Sequence, residues 1–448
     1  MANKLYTENS IQNIADAIRY KNNLLSATYR VSDMAQAILN LPSDNVHLEV
    51  VTQEQRNASI AYDSTYSNIG SYAFQRCSLL TSVSFPECTT IGNSAFQYCS
   101  SLTDISFPKC ILIGTSAFYS CSSLTEANFP ECTSIDDYAF FRCYSLSSIS
   151  FPKCTIVSNR VFYQIPVTLA SFSLCTTIGD SAFYSCSSLT EANFPECTSI
   201  GNYAFNGCTS LIKANFPECT TIGTGAFDNC KLLSSANFPK CTTMGNQVFY
   251  LCSLLTKANF PECTSIGSYA FNSCYSLTTA SFPKCTLIGN SAFQYCSSLT
   301  LASFPLCTTV SNSAFYSCTS LTSVNLPECS TLGNDAFANC FSIKQINISK
   351  LTSIGVRCFY RVSQLSSINL PACEFLGGLA FGSCISLSKL YLGTSTCVLN
   401  ASTVFASTPM SLSSYLGRFG SIYVPSAYVN AYKSSTNWSY YSSRIVGY

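Results

Sequence analysis

The residues best placed to do chemistry are the 28 cysteines, in a chain of 448 residues with a single histidine, His47. Thirteen cysteines follow phenylalanine as F-x-x-C, from Cys77 to Cys384. Thirteen more follow Phe-Pro-x or a variant of it, from Cys88 to Cys373, leaving Cys358 and Cys397. Successive cysteines are almost always 11 apart and never form the C-x-x-C pair of a structural zinc site. His47 lies outside this pattern, so neither a metal array nor a cofactor is expected. One histidine also removes most general-base and triad chemistry, and no catalytic residue is expected. Neighbours in one column should lie within Cα reach of a disulfide, but parallel side chains would have to twist out of a packed ladder to form one. The expectation is a ladder of buried free thiols, with Cys88, Cys110, Cys132, Cys197, Cys219, Cys241, Cys263 and Cys285 as members, and scattered disulfides as the alternative. Synthesis in a reducing cytoplasm agrees with free thiols.

The elements that must position these cysteines repeat with a period of 22 residues. The Ile-Gly position or its equivalent recurs from Ile69, Ile91 and Ile113 to Ile354 and Leu376, which makes fifteen repeats. One step, Val157 to Ile178, is a residue short, near Gln164-Ile165-Pro166. In the unit beginning at Leu102, the residues Leu102, Ile105, Phe107 and Cys110 match LxxLxLxx(N/C). Alternation suits a short strand with one buried face, beginning near Leu80, Leu102 and Leu124, and Pro108 ends it because proline cannot donate to a ladder. A coil of strand, turn and return segment cannot bury its own apolar face, so coils must stack and share a core. The fold class is therefore a repeat solenoid of about fifteen coils with parallel strands, roughly 70 Å long at ~4.8 Å per coil.

Three columns of residues face outward in this scheme. The residue between Pro and Cys runs Glu87, Lys109, Glu131, Lys153, Leu174, Glu196, Glu218, Lys240, Glu262, Lys284, Leu306, Glu328. Unlike charges on adjacent coils attract by roughly 0.2–1 kcal/mol, so this column reads as a register device. No second acidic column faces it to make a glycosidase pair. Tyr98, Tyr119, Tyr163, Tyr184, Tyr250, Tyr295, Tyr316 and Tyr360 follow the buried phenylalanine, where the side chain turns outward. Tyrosine among Ser, Thr and Asn is the composition of adaptable paratopes and sugar-stacking surfaces. Packing on neighbouring coils is the alternative role. The central strand column varies while its neighbours do not, and its members Asp104, Glu126, Glu191, Lys213 and Lys257 are candidates for specificity; drift of a solvated face explains the same variation.

At these residues the chain resembles the BspA-type leucine-rich repeat family, whose units read like CSSLTSIxxPxxxTSIGxxAF, over about residues 66–397. The resemblance implies adhesion and interaction on surfaces, with no catalytic residue to carry over. The cysteine after Phe-Pro-x departs from the family pattern. Residues 1–43 read as a helical hairpin instead, with Ile11, Ile14, Ile18 and Met34, Ile38, Leu41 at helical spacing and Pro42 as a stop. Some 40 residues are marginal alone, so the hairpin should dock on the rod, on its own copies as a homo-oligomer, or on another virion or surface protein. This segment resembles N-terminal segments of tail-associated proteins from gut Firmicutes phages. Residues 44–65 are a linker and N-terminal cap. Residues 398–448 are a C-terminal cap of strand plus helix, closing an edge that would otherwise stand open.

Composition narrows the function classes. Charged residues are 10% of the chain against a usual figure of about 25%. With 23 Lys+Arg and 22 Asp+Glu, net charge +1, there is no polybasic footprint for nucleic acid. Mean hydropathy is +0.22, yet no stretch nears the ~18 uninterrupted apolar residues of a membrane span. The opening MANKLYTENS has no apolar h-region or cleavage site, so no signal peptide is expected. The expectation is a non-enzymatic binding or structural protein made in a bacterial cytoplasm. It would be a phage virion component, a tail fibre or receptor-binding protein recognising a host-surface protein or glycan; the alternative is a BspA-like adhesin at the bacterial cell surface.

Overall fold

The computed structural model describes residues 4–6, 48–50, 60–61, 67–394, 396–411, 417 and 419–448. The helical hairpin expected over residues 1–43 lies outside the described residues, apart from Lys4–Tyr6, a strand that pairs in parallel with Leu48–Val50. The chain forms two compact units, Met1–Leu211 and Ile212–Tyr448, and both are built from the same coil.

The coil beginning at Leu102 shows how the sequence closes on itself. The Leu102 N–H donates to the Cys99 carbonyl at 3.2 Å and finishes the preceding turn. The strand therefore starts two residues later than expected, as Asp104–Ser106, with Ile105 turned inward between exposed Asp104 and Ser106. Pro108 follows, and the return segment carries a second strand, Leu112–Ile113. Both strands continue in parallel register on neighbouring coils, Asp104 opposite Ser82 and Leu112 opposite Ser134. The third side is a run of turns with two left-handed residues, Ser116 (φ 58°) and Ser120 (φ 57°). Alternate N–H groups there reach the next coil, Ser116 to Asp137, Phe118 to Ala139 and Ser120 to Phe141, at 2.8–2.9 Å. The N–H groups between them close turns within the coil, Ala117 to Gly114 and Tyr119 to Ser116, both at 3.1 Å. Every side of the coil thus spends backbone hydrogen bonds on its neighbours, which a turn-rich 22-residue unit requires.

The fold is a parallel-strand solenoid of about 17 turns, somewhat more than the fifteen counted from the Ile-Gly positions. Val398–Leu399 continues the ladder past Phe375–Leu376, where the sequence repeat has faded. In the first unit the short coil keeps its register: Ile156 pairs with Thr177, and Ile165 stands buried where a cysteine would be. Two phenylalanine columns fill the core. Phe74, Phe96 and Phe118 stack nearly parallel at 5.0–5.2 Å, and Phe85 and Phe107 do so at 5.7 Å. The columns meet at an angle, as Phe96 on Phe107 at 5.9 Å. Offset-stacked and edge-to-face arrangements together satisfy the ring quadrupoles that a face-to-face sandwich would oppose. Residues 116–135 and 181–200 are identical in sequence and form equivalent turns and strands.

Glycine predominates where coils approach most closely. A Cβ on Gly267 would sit 2.1 Å from the Gly245 carbonyl oxygen, and one on Gly201 would sit 2.6 Å from the Gly179 carbonyl carbon. Asp136, Ser158 and Ser311 occupy the same place in other coils, with interstrand N–H···O distances of 2.9, 3.2 and 3.0 Å against 2.7–2.9 Å at the glycines, so an isolated coil admits a side chain there with little opening. Gly267→Ala is expected to cost about 1–3 kcal/mol as a crowding substitution, measured by denaturant unfolding, with an unchanged midpoint refuting the tight stack.

The last coil is closed by residues 421–448. Ser421–Val424 pairs with Lys389–Leu392, and Ile445–Gly447 adds a further strand. Between them, Val429–Ser434 is a helix, and Tyr432, Trp438 and Tyr441 are buried. Their polar ends take up carbonyls that another coil would otherwise have bonded. Trp438 Nε1 donates to Cys397 O at 2.5 Å, Tyr432 Oη to Thr394 O at 3.0 Å, Asn437 Nδ2 to Leu399 O at 2.8 Å, and Tyr441 Oη to Ser402 O.

Candidate binding surface

All 28 cysteines are buried and none is cross-linked. The two columns use their thiols differently. In the F-x-x-C column thiols donate to a phenylalanine carbonyl of the preceding coil, as Cys121 to Phe96 at 3.1 Å and Cys296 to Phe271 at 3.1 Å. In the P-x-C column it donates within its own coil, Cys132 to Ser134 at 3.2 Å and Cys219 to Thr221 at 3.3 Å. Cys88, Cys110, Cys197, Cys241, Cys263 and Cys285 do likewise at 3.1–3.4 Å. Burial pushes these thiols up, Cys88 to about 11 and Cys132 to about 12, so they stay protonated and are poor nucleophiles. Among the described residues no group of three His, Cys, Asp or Glu is placed to hold a metal.

The Glu/Lys column is a row of ion pairs. Each lysine reaches back to the glutamate before it: Lys109 to Glu87 at 2.7 Å, Lys153 to Glu131 at 2.6 Å, Lys284 to Glu262 at 2.5 Å, and Lys240 to Glu218. Lys350, bonded to Glu328 at 2.6 Å, extends the column; it stands in Ser-Lys-Leu, where the Pro-x-Cys signal is lost. The pairs are half-exposed and each is worth at most about 1 kcal/mol. Their charges are spent on one another.

The tyrosines divide between the two units. In the first, Tyr98, Tyr119, Tyr163 and Tyr184 join a single stripe through Phe141, at centroid distances of 5.5, 5.0, 4.8 and 4.7 Å. Only Tyr98 meets its neighbour edge-on; the others lie nearly parallel, so their faces cover each other and their edges and hydroxyls point out. Burial, then the neighbouring Tyr184, raises the Tyr163 phenol, against the lowering field of Arg160 and Arg142. In the second unit Tyr295 and Tyr316 meet edge-on at 5.9 Å, while Tyr250 and Tyr360 are half-exposed with no ring partner among the described residues. Asp104, Glu126, Glu191, Lys213 and Lys257 are all exposed on the strand side of their coils, and in the first unit Asp104, Glu126 and Glu191 lie away from the stripe.

Arginine lies against the stripe. The guanidinium of Arg76 is 5.9 Å from the Tyr98 ring, Arg142 is 5.2 Å from Phe141, and Arg160 is 5.5 Å from Tyr138 and bonded to its hydroxyl at 2.5 Å. Among the described residues Arg142 and Arg160 have no carboxylate partner, whereas Arg357 is held by both oxygens of Asp335 at 2.9 Å. Tyr138, Phe141, Arg160, Tyr163, Ser181, Tyr184, Tyr203 and Asn206 enclose an open depression of about 500 Å³. Reading the tyrosines alone overlooked Phe141, although it fills their place after Phe140. It also overlooked Tyr138 and Tyr203, which recur with Tyr72 and Tyr269 at the left-handed turn position every third coil.

A family model, the BspA type leucine-rich repeat region, matches residues 53–168, 176–300 and 286–410 in six copies. The chain belongs to the BspA-type leucine-rich repeat family. No curated protein sequence matches it. Among solved structures, this BspA-type array is similar to a leucine-rich repeat protein from Bacteroides ovatus, 22% identical with a TM-score of 0.50 over 84% of this chain and 87% of that one. It is also similar to a leucine-rich cell surface protein from Faecalibacterium prausnitzii, 25% identical with a TM-score of 0.36 over 64% of this chain and 77% of that one. The first likeness shows the fold. Proteins of the BspA-type repeat have binding and structural roles at surfaces.

Proposed function

We propose that the chain is a non-enzymatic recognition protein whose coils bind a protein or glycan on a cell surface, with the aromatic and arginine stripe of the first unit as the contact. The observation that carries this reading is the aromatic stripe itself, with Arg142 and Arg160 set against its rings and, among the described residues, bonded to no carboxylate. Aromatic and arginine side chains together are the usual anchors of interfaces. The protein is carried as an adhesin at a bacterial surface, as its family implies; the resemblance of residues 1–43 to phage tail-associated segments favours a second carrier, the virion.

Purified protein should bind host cells in a saturable way. Replacing Tyr163 and Tyr184 together by Ala should weaken that binding about tenfold or more while the circular dichroism spectrum stays native. Unchanged binding by the double variant would move the contact off the stripe. Antibody labelling of cell walls and of phage particles decides between the two carriers, since only the true carrier is decorated.

A further inference from the structure

The depression in the first unit has a definite architecture. In each coil the first left-handed residue of the turn run throws its side chain outward at the same place, and along this stretch those residues are Tyr138, Arg160, Ser181 and Tyr203, with φ of 55–60°. Ser181 is the small member of the row and is buried, so it forms the base of the depression, a gap bounded by Arg160 and Tyr203 roughly 10 Å apart at ~4.8 Å per coil. Tyr163 and Tyr184 form the adjoining wall. Tyr203 is 39% exposed and, among the described residues, has no ring partner, so its face is open where the stacked tyrosines have theirs covered. Arg160 spends one donor on the Tyr138 hydroxyl, which fixes the guanidinium beside the gap and leaves its other N–H groups available. An apolar face, a positioned fork of donors and a small hydroxyl floor, two coils wide, match one sugar ring bearing a carboxylate.

We propose that this gap is a socket for an acidic sugar, a uronic or sialic acid unit of a glycan, whose ring lies on Tyr203 and whose carboxylate is taken by Arg160. Arginine suits the role because its planar fork accepts a carboxylate through two parallel hydrogen bonds. This rests on the recognition reading above and names the ligand class for it.

The test uses the full chain and four probes in titration calorimetry: oligogalacturonate, its neutral methyl ester, sialyllactose and lactose. At least one acidic probe should bind at least tenfold more tightly than its neutral counterpart. Ser181→Tyr, which fills the socket at a position where tyrosine already stands in other coils, should abolish that binding. Ser116→Tyr, the same change in the identical sequence outside the socket, should leave it intact. Arg160→Gln should remove the preference for the acid over the ester. Equal binding of acid and ester, no binding of any probe, binding that survives Ser181→Tyr, or preference for single-stranded RNA over every sugar would overturn the proposal. If host cells are still bound while soluble acidic sugar fails to compete, the socket falls and the recognition reading stands; if cells are not bound at all, the recognition reading falls as well.

Discussion

Raising the pH above 9 should unfold this protein, well before the individual thiols reach their folded-state values. The ordinary value of a cysteine is 9.0, and burial lifts Cys88, Cys175 and Cys307 to about 11 and Cys132, Cys143 and Cys186 to about 12. The folded state therefore holds these protons more tightly than the unfolded state does. Stability from each thiol is complete below pH 9 and declines as the pH rises from there through the folded value. The loss is roughly 1.4 kcal/mol per thiol per pH unit, so about a dozen such thiols outweigh the ~5–15 kcal/mol of a typical domain one unit above the onset. Thiolate absorbance and circular dichroism should change together between about pH 9 and about pH 11. A thiolate signal that grows near pH 9 while the spectrum stays native would mean that the thiols are accessible and the ladders are not packed. In neutral denaturant all 28 should titrate as free thiols, and few should react in the native state.

A chain ending at Gly420 should lose its solubility. Without residues 421–448 the edge of Lys389–Leu392 is open, Phe405 loses Trp438 and Tyr441, and the carbonyls of Thr394, Cys397, Leu399 and Ser402 lose their donors. An open edge above an uncovered core is a template for pairing with other chains. Trp438→Ala is the milder version, expected to cost about 3–5 kcal/mol from the lost burial and the cavity together. Light scattering and soluble yield check both. A truncated chain that remains soluble, with native circular dichroism, would show that the final coil closes itself.

The coil could be read directly because each of its constraints leaves a residue type at a fixed spacing. Pro108 marks the end of a strand, Cys110 and Phe118 mark the core, and the Ile-Gly step marks the closest approach of backbones. The second strand at Leu112–Ile113 was less legible, since two residues are too few to show alternation. The left-handed turn residues were hidden for a different reason. Tyr138, Arg160 and Ser181 sit where glycine is the usual occupant, held there by N–H groups bonded to the following coil. The 22-residue period puts them in one column, but their differing residue types gave no sign of the left-handed turn that they share. The socket's pieces were therefore visible in the sequence as neighbours, but not as the lining of one depression. The stacking of Tyr119, Phe141, Tyr163 and Tyr184 likewise follows from coil spacing and not from residue type.

The identity of residues 116–135 and 181–200 has a genetic consequence. Coding stretches this alike can misalign during replication or recombination, and an exchange between them excises residues 116–180 while rejoining the same sequence. Thr115 would then precede Ser181, and the new junction would meet the same backbone partners as the old one. The shortened chain should fold, because each coil bonds only to those beside it. It would, however, lack Tyr138, Arg160 and Tyr163 while keeping Ser181 and Tyr203. Length variants in a population would therefore differ in what they recognise while sharing one scaffold, a source of rapid diversity at a surface.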